Sequence, residues 1–233
     1  MMLPFFLTGD CHGDFSRFYD PRLPIGNYII LGDAGLNYYL NKTDRKRKQK
    51  LNDELPHIFY IVRGNHEQRP EEIDSMIELY DENVKGYVYL ELSFPKIRYF
   101  KDGGEYDIEG NSTLVLGGAY SIDKDYRLMR GWQWFPHEQL SAEERAAIGT
   151  NLQPHYDIVL SHTAPISKEP TDLFLSFIDQ SKVDKSMELW LEEIHQSVDY
   201  NYWFFGHYHA DRWQDEKTRL FYNDIIMLSD LVK

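Results

Sequence analysis

A single cysteine, Cys11, in a chain of 233 residues rules out an intramolecular disulfide, so nothing covalent staples the fold and a reducing compartment suits it. Basic residues are also scarce: 25 Lys and Arg stand against 38 Asp and Glu, for a formal net charge of −13. That balance argues against a grip on extended nucleic acid, whose phosphates it repels, though not against a nucleotide bound where a metal supplies local charge. No apolar run approaches the length needed to cross a bilayer. The first residues hold neither a basic region nor an apolar stretch long enough for a signal peptide, and the sequence predicts a soluble, cytoplasmic chain with no membrane partner. No Pro/Gly/Ser-rich linker, repeat or low-complexity tract divides it, so one domain over residues 1–233 is expected. Aromatic residues, in contrast, are abundant at 15%, which indicates a packed interior rather than disorder.

One arrangement occurs five times. Phe5-Phe6-Leu7-Thr8 leads into Asp10-Cys11-His12-Gly13-Asp14, and Tyr28-Ile29-Ile30-Leu31 into Gly32-Asp33-Ala34-Gly35. Ile58-Phe59-Tyr60-Ile61-Val62 leads into Arg63-Gly64-Asn65-His66-Glu67. Asp157-Ile158-Val159-Leu160 precedes His162, and Tyr202-Trp203-Phe204-Phe205 precedes Gly206-His207-Tyr208-His209. Each is a short β-branched or aromatic run that ends at a turn carrying Asp, Asn or His. In open α/β sheets the loops at the C-terminal ends of strands are where ligand sites form. Residues i and i+2 of an extended segment share a face, so Asp10 and His12 can converge on one metal, and His207 and His209 can reach two neighbouring ones. By the same alternation Cys11 points away from both its neighbours. The two carboxylate oxygens of Asp33 allow it to bridge two ions.

In this order the five segments resemble the calcineurin-like metallophosphoesterase superfamily, whose pattern is D-x-H, G-D, G-N-H-[ED], a lone H and G-H-x-H, and the match spans Asp10 to His209. The resemblance implies a four-layer α/β/β/α sandwich with two mixed β-sheets and a metal site at the C-terminal ends of the strands. It implies two divalent metal ions, one held by Asp10, His12, Asp33 and His209, the other by Asp33, Asn65, His162 and His207. In such enzymes a hydroxide bridging the ions attacks the phosphate ester, and the residue that His66 resembles helps the leaving oxygen depart. The mixed N/O donor set suits Mn first, with Fe or Zn as alternatives. Hydrolysis of small phosphate mono- or diesters is therefore expected. A nuclease or nucleotide phosphodiesterase is the alternative among enzymes, and a non-catalytic metal-binding module the alternative outside them.

The phosphoprotein phosphatase branch reads G-D-x-V-D-R-G, with an aspartate and an arginine where Leu36 and Asn37 stand here. Without that arginine a dianionic monoester loses more than a singly charged diester, so a preference for diesters is expected unless Arg127 or Arg130 folds over the site. Arg63, Arg127 and Arg130 are the candidate substrate contacts, and Gly117-Gly118-Ala119-Tyr120-Ser121-Ile122-Asp123 is closer to bacterial and phage-type members. Trp132 and Trp134 either close the core from above or form a substrate-facing cap. His57, His137, His155 and His195 lie outside the motifs and read as surface or packing residues, as does the basic run Lys42 to Lys50.

Between the motifs, helices are expected over Leu36 to Leu55, Glu71 to Tyr80, Ser141 to Ile148 (with a Ser141/Glu144 capping box) and Val183 to Gln196. Tyr87–Leu92, Ile97–Phe100, Tyr106–Ile108 and Ser112–Leu116 read as a meander forming a second sheet, and Arg219–Tyr222 with Ile225–Leu228 as a terminal pair turning at Asn223-Asp224.

Overall fold

A computed structural model describes residues 3–232. The apolar runs ahead of the first three motifs are strands β1 (Phe5–Thr8), β2 (Asn27–Ile30) and β3 (Ile58–Ile61), with helix α1 (Lys42–Glu54) between the last two. Five short strands follow: β4 (Met76–Asp81), β5 (Gly86–Glu91), β6 (Ile97–Phe100), β7 (Gly104–Ile108) and β8 (Asn111–Leu116). Helices α2 (Lys124–Arg130) and α3 (Ala142–Gly149) precede β9 (His155–Ser161), and α4 (Ser186–Ser197) precedes β10 (Asp199–Phe205). The last described elements are β11 (Arg212–Trp213), β12 (Thr218–Leu220), β13 (Ile226–Met227) and α5 (Leu228–Leu231). Among the described residues no helix is long and apolar enough to cross a membrane.

The strands form a seven-stranded sheet, β13-β1-β2-β3-β6-β5-β4, and a six-stranded sheet, β11-β12-β10-β9-β8-β7. Both are mixed: β1, β2, β3 and β6 run parallel in the first, β8, β9, β10 and β12 in the second, and antiparallel strands close their edges. Between the sheets, Phe5, Leu7, Ile29, Leu31 and Tyr60 meet Val115, Ile158, Leu160 and Phe204. The alternate residues Phe6, Tyr28, Ile30, Phe59 and Ile61 face outward onto Phe18 and onto Leu51 of α1. On the far side, Leu116, Val159, Trp203 and Phe205 pack on Met187, Trp190, Leu191 and Ile194 of α4. Three apolar seams between four layers make the α/β/β/α sandwich, and they explain why the motif strands are apolar at consecutive positions: strands covered on both faces have no solvent side.

Several expectations change. Glu71–Tyr80 is no helix: a 3-10 turn at Pro70–Glu72 is followed by β4, which pairs antiparallel with β5 from Met76↔Glu91 to Asp81↔Gly86. The helical spacing of Ile73, Met76, Ile77 and Tyr80 was coincidental, and pairing at the sheet edge outweighed it, leaving Ile77, Leu79 and Tyr80 exposed. Helix α1 begins at Lys42 rather than Leu36, because the Asn41 side chain caps it by accepting from the Thr43 N–H. The meander divides, β5 and β6 extending the first sheet while β7 and β8 begin the second. Likewise β12 and β13 lie in different sheets and form no pair. The α3 capping box is present, with Ser141 and Glu144 as its reciprocal partners. In the basic run, Lys48 is buried in an ion pair with Glu91 (2.7 Å) while most of its neighbours are exposed.

Helix α4 carries a buried acid on its packed face. Glu188 is 3% exposed; its Oε1 accepts from the Thr163 hydroxyl (2.8 Å), and its Oε2 has no partner among the described residues. Burial pushes its pKa up to about 7 from 4.5. An acid whose pKa is raised on folding contributes stability below its unfolded value and loses it as pH rises through the folded one, here between about 4.5 and about 7. Glu188→Gln should therefore stabilise the protein at pH 8 by an amount on the order of 3 kcal/mol, or several degrees in Tm, with little gain at pH 4.5. Thermal melts of both proteins across that range check it; a Tm difference independent of pH would show that ionisation of Glu188 is not the cause.

Candidate metal centre

Register brings the motif loops level. Thr8, Ile30 and Ile61 stand opposite one another across β1, β2 and β3, as do Leu116, Ser161 and Phe205 across β8, β9 and β10. All five motif loops thus open at the same end of the sandwich. Backbone bonds then tie the loops together: the Asp33 carbonyl accepts from the N–H groups of Cys11 (3.1 Å) and His12 (2.8 Å), and the Asp10 carboxylate from that of His207 (2.9 Å).

The side chains converge for a different reason from the one expected. His12 (φ 47°), Asp33 (47°), His207 (69°) and His209 (52°) adopt left-handed backbone conformations, so alternation along an extended segment does not aim them; tight reversals do. Such conformations cost about 1–2 kcal/mol per residue and persist because the surrounding bonds hold them. Two glycines make room: a Cβ on Gly32 would lie 1.9 Å from His162 Nδ1, and one on Gly64 would lie 2.0 Å from Asp33 Oδ1.

Among the described residues, three groups of donor atoms come within 4.8 Å of one another: Asp10, His12 and His209; Asp10, Asp33 and His162; and His12, Asp33 and His66. Asp33 stands between them, with Oδ1 3.7 Å from His162 Nε2 and Oδ2 3.9 Å from His12 Nδ1. Asn65 joins the second group, its Oδ1 2.9 Å from His162 Nε2. The His207 ring packs beside His162, with centroids 4.9 Å apart, but does not belong to any of the three groups.

The arrangement fits cations. His162 Nδ1 donates to the Leu31 carbonyl (2.8 Å), so in the neutral ring Nε2 carries the lone pair. Asn65 Nδ2 donates to the Ser121 hydroxyl (2.8 Å), which Glu138 orients, and this turns Oδ1 toward His162. Two acceptors facing each other at 2.9 Å need a positive charge between them, a proton or a metal ion. Ligand atoms each about 2.1 Å from one ion and at right angles lie about 3 Å apart. His12 Nε2 and His209 Nε2 also approach to 2.9 Å, and the buried Asp10 Oδ2 has no hydrogen-bond partner among the described residues, with His209 Nε2 3.2 Å away.

Protonation states agree with this. Burial alone would raise the Asp33 pKa, but the imidazoles of His66, His162 and His12 and the His66 N–H outweigh it and hold the carboxyl well below its usual range. Asp10 is lowered too, burial being offset by His209 and His162. Desolvation pushes His207 down to about 3, so it is neutral. A group must be deprotonated to ligate a metal, as the Asp10 and Asp33 carboxylates and the His207 ring are, whereas the Asp10 carboxylate raises the pKa of His209. Cys11 is not among them: burial pushes its thiol up to about 12, and its Sγ lies 3.3 Å from Arg17 within the aromatic seam under α1.

Of the candidate substrate contacts, the structure brings one to the site. Arg63 is 2% exposed; its guanidinium donates to Asp102 (2.7 Å) and to the carbonyls of Glu138 (2.7 Å) and Gly117 (3.3 Å), locking the third motif loop to its neighbours. That placement corrects its reading as a substrate contact. Arg130 is exposed and lies over the Tyr126 ring, 5.2 Å from its centroid. Arg127 lies against His66. Trp132 is 53% exposed and forms a T-shaped pair with Tyr126, and the Trp134 ring lies under Lys124 Nζ (4.1 Å). His137 pairs with Glu72 at the surface, and His57 packs on Tyr28.

Sequence reasoning passed over four supports of the site. Glu67 Oε1 accepts from the Ala34 N–H (2.8 Å) and so joins two motif loops; burial, with the nearby Asp33 charge, pushes its pKa up to about 8. Ser121 and Glu138 orient Asn65, and Asp123 Oδ1 lies 4.0 Å from His66 Nε2. Only the positions of Glu67 inside a motif and of Ser121 and Asp123 after β8 offered any signal.

A double-sheet sandwich with carboxylate, amide and imidazole donors gathered where its strands end is the architecture of a metallophosphoesterase. A family model described as calcineurin-like phosphoesterase matches residues 3–211, and the chain belongs to that family. No curated protein matches it.

Proposed function

We propose that the chain hydrolyses small phosphate esters with two divalent metal ions, one held by Asp10, His12, Asp33 and His209 and the other by Asp33, Asn65, His162 and His207. The observation that supports this most is the Asp33 carboxylate, one oxygen toward His162 and the other toward His12, so that one side chain serves both groups. Mn²⁺ suits the mixed N/O donors first, with Fe or Zn as alternatives. When bound, the ions supply a nucleophile at neutral pH and neutralise charge on the phosphoryl oxygens.

The chain's own residues do the rest. Against burial, which would raise both carboxyls, the neighbouring histidines keep Asp10 and Asp33 ionised, and the Leu31 carbonyl and Ser121 aim His162 and Asn65. His66 donates its backbone N–H to Asp33 Oδ1 (2.8 Å), and its ring Nε2 sits 4.0 Å from Asp33 Oδ2, a position from which it gives a proton to the leaving oxygen. The net charge of −13 favours small substrates over extended nucleic acid. Purified protein supplied with Mn²⁺, Fe²⁺ or Zn²⁺ should hydrolyse an aryl phosphate or a bis(aryl) phosphate and lose that activity to a chelator. No turnover of either ester with any of the three metals would overturn the proposal and leave a metal-binding module.

A further inference from the structure

Arg127 lies against His66, and the mechanism above does not use it. It is 7% exposed and projects from the short helix α2. Its Nε donates to Asp123 Oδ2 (2.7 Å), and its Nη1 donates to the Tyr38 hydroxyl (3.2 Å) and the Gln133 carbonyl (3.2 Å). The Tyr38 ring centroid lies 5.6 Å from the guanidinium carbon. Nη2 lies against His66, 3.1 Å from Nε2 and nearer still to Nδ1.

A guanidinium carries five N–H donors. Three are engaged by Asp123, Tyr38 and Gln133, which fix the group in place. The other two belong to Nη2, and the His66 ring offers at most one lone pair to them, and none while it carries the proton that it gives up. One N–H therefore has no acceptor among the described residues, and it belongs to the nitrogen that faces His66 beside Asp33. An anionic oxygen arriving at the centre completes that set. The other two candidate arginines are held elsewhere, Arg63 locked in the interior and Arg130 lying on Tyr126 at the surface.

We propose that Arg127, braced by Asp123 and Tyr38, binds the phosphoryl group beside the metal centre and makes the enzyme selective for phosphomonoesters. This rests on reading the site as a phosphoester hydrolase. A monoester presents a dianion with an extra unesterified oxygen, which accepts a charge-assisted hydrogen bond from a fixed guanidinium. In a diester that oxygen is esterified, uncharged and a poorer acceptor. The diester preference expected from Leu36 and Asn37 is thereby reversed: α2 delivers from another part of the chain the cation that the second motif loop lacks.

The test compares kcat/KM for an aryl phosphate and the matching bis(aryl) phosphate, in the metal-loaded wild-type protein and in Arg127→Ala. The wild type should favour the monoester. The substitution should lower monoester kcat/KM by about 10²–10³-fold, the usual cost of one charge-stabilising donor, and should lower the monoester-to-diester ratio by at least about tenfold. Calorimetric titration with inorganic phosphate gives a readout apart from turnover: Arg127→Ala should weaken binding by about tenfold or more at unchanged metal content. Arg127→Lys should recover only part of either loss, because an ammonium keeps the charge without the fork. Equal losses on both esters, or unchanged phosphate affinity, would overturn the assignment of Arg127 while leaving the hydrolase reading intact. Wild-type protein inert toward both esters would remove the hydrolase reading and this inference with it. If Arg127→Ala does not fold, Asp123→Asn serves instead. It loosens the brace and should shift the ratio the same way, and an unchanged ratio would count against the role of Arg127.

Discussion

Asp33→Asn should strip both metal ions from the protein together and lower turnover by roughly a thousandfold or more. The substitution keeps the side-chain volume, so the fold around it should hold. What changes is the electrostatics between the two donor groups, because the carboxylate faces His162 with one oxygen and His12 with the other. An amide turns its NH₂ toward one of them. If its oxygen keeps the bond from the His66 N–H now made to Oδ1, the NH₂ faces His12. One group then loses an anionic ligand atom and meets a donor in its place, and both lose the shared negative charge. The several kcal/mol that metal ions supply to phosphoryl transfer translate into a factor of about 10³ or greater. Elemental analysis of the purified variant, with its kcat, measures both effects. Two ions per chain with normal turnover would show that Asp33 is not the bridge.

His66→Ala should behave differently, losing about 10²–10⁴ in turnover while metal content stays near normal. His66 does appear with His12 and Asp33 in one possible donor group. The Arg127 guanidinium against its ring nitrogens, however, places a positive charge beside that group and so disfavours a cation there. Burial lowers the His66 pKa, Asp33 opposes it, and that guanidinium lowers it further. The deficit of the variant should shrink for esters with acidic leaving groups, which depart with less help from a proton. A plot of log kcat/KM against leaving-group pKa should therefore be steeper for His66→Ala than for the wild type. Parallel lines would mean that His66 positions the ester rather than protonating it, and loss of an ion from the variant would make it a ligand.

The two substitutions separate what was legible in the sequence from what was not. Runs such as Tyr28–Leu31 and Tyr202–Phe205 announced buried strands, because a strand covered on both faces has to be apolar at every position. The Asp, Asn and His at their ends showed which donor types would be present, since ligand chemistry belongs to the side chain and not to its surroundings. The Ser141/Glu144 capping box was equally readable, being a contact between residues three apart. Local pattern reports burial and period, and it goes no further. It could not show that Met76–Asp81 would pair with β5 as an edge strand, or that β5–β6 and β7–β8 would join different sheets, because strand pairing depends on partners far along the chain. The left-handed turns at His12, Asp33, His207 and His209 were hidden as well, for those at His12, Asp33 and His207 are held by bonds that arrive from other loops. Charged side chains were the least legible. Arg63, next to a motif, is drawn inside by Asp102 and three carbonyls, while Arg127, outside every motif, is carried onto His66 by α2. An arginine's residue type and neighbours say that it will seek acceptors; only the packed structure decides whose acceptors lie within its reach.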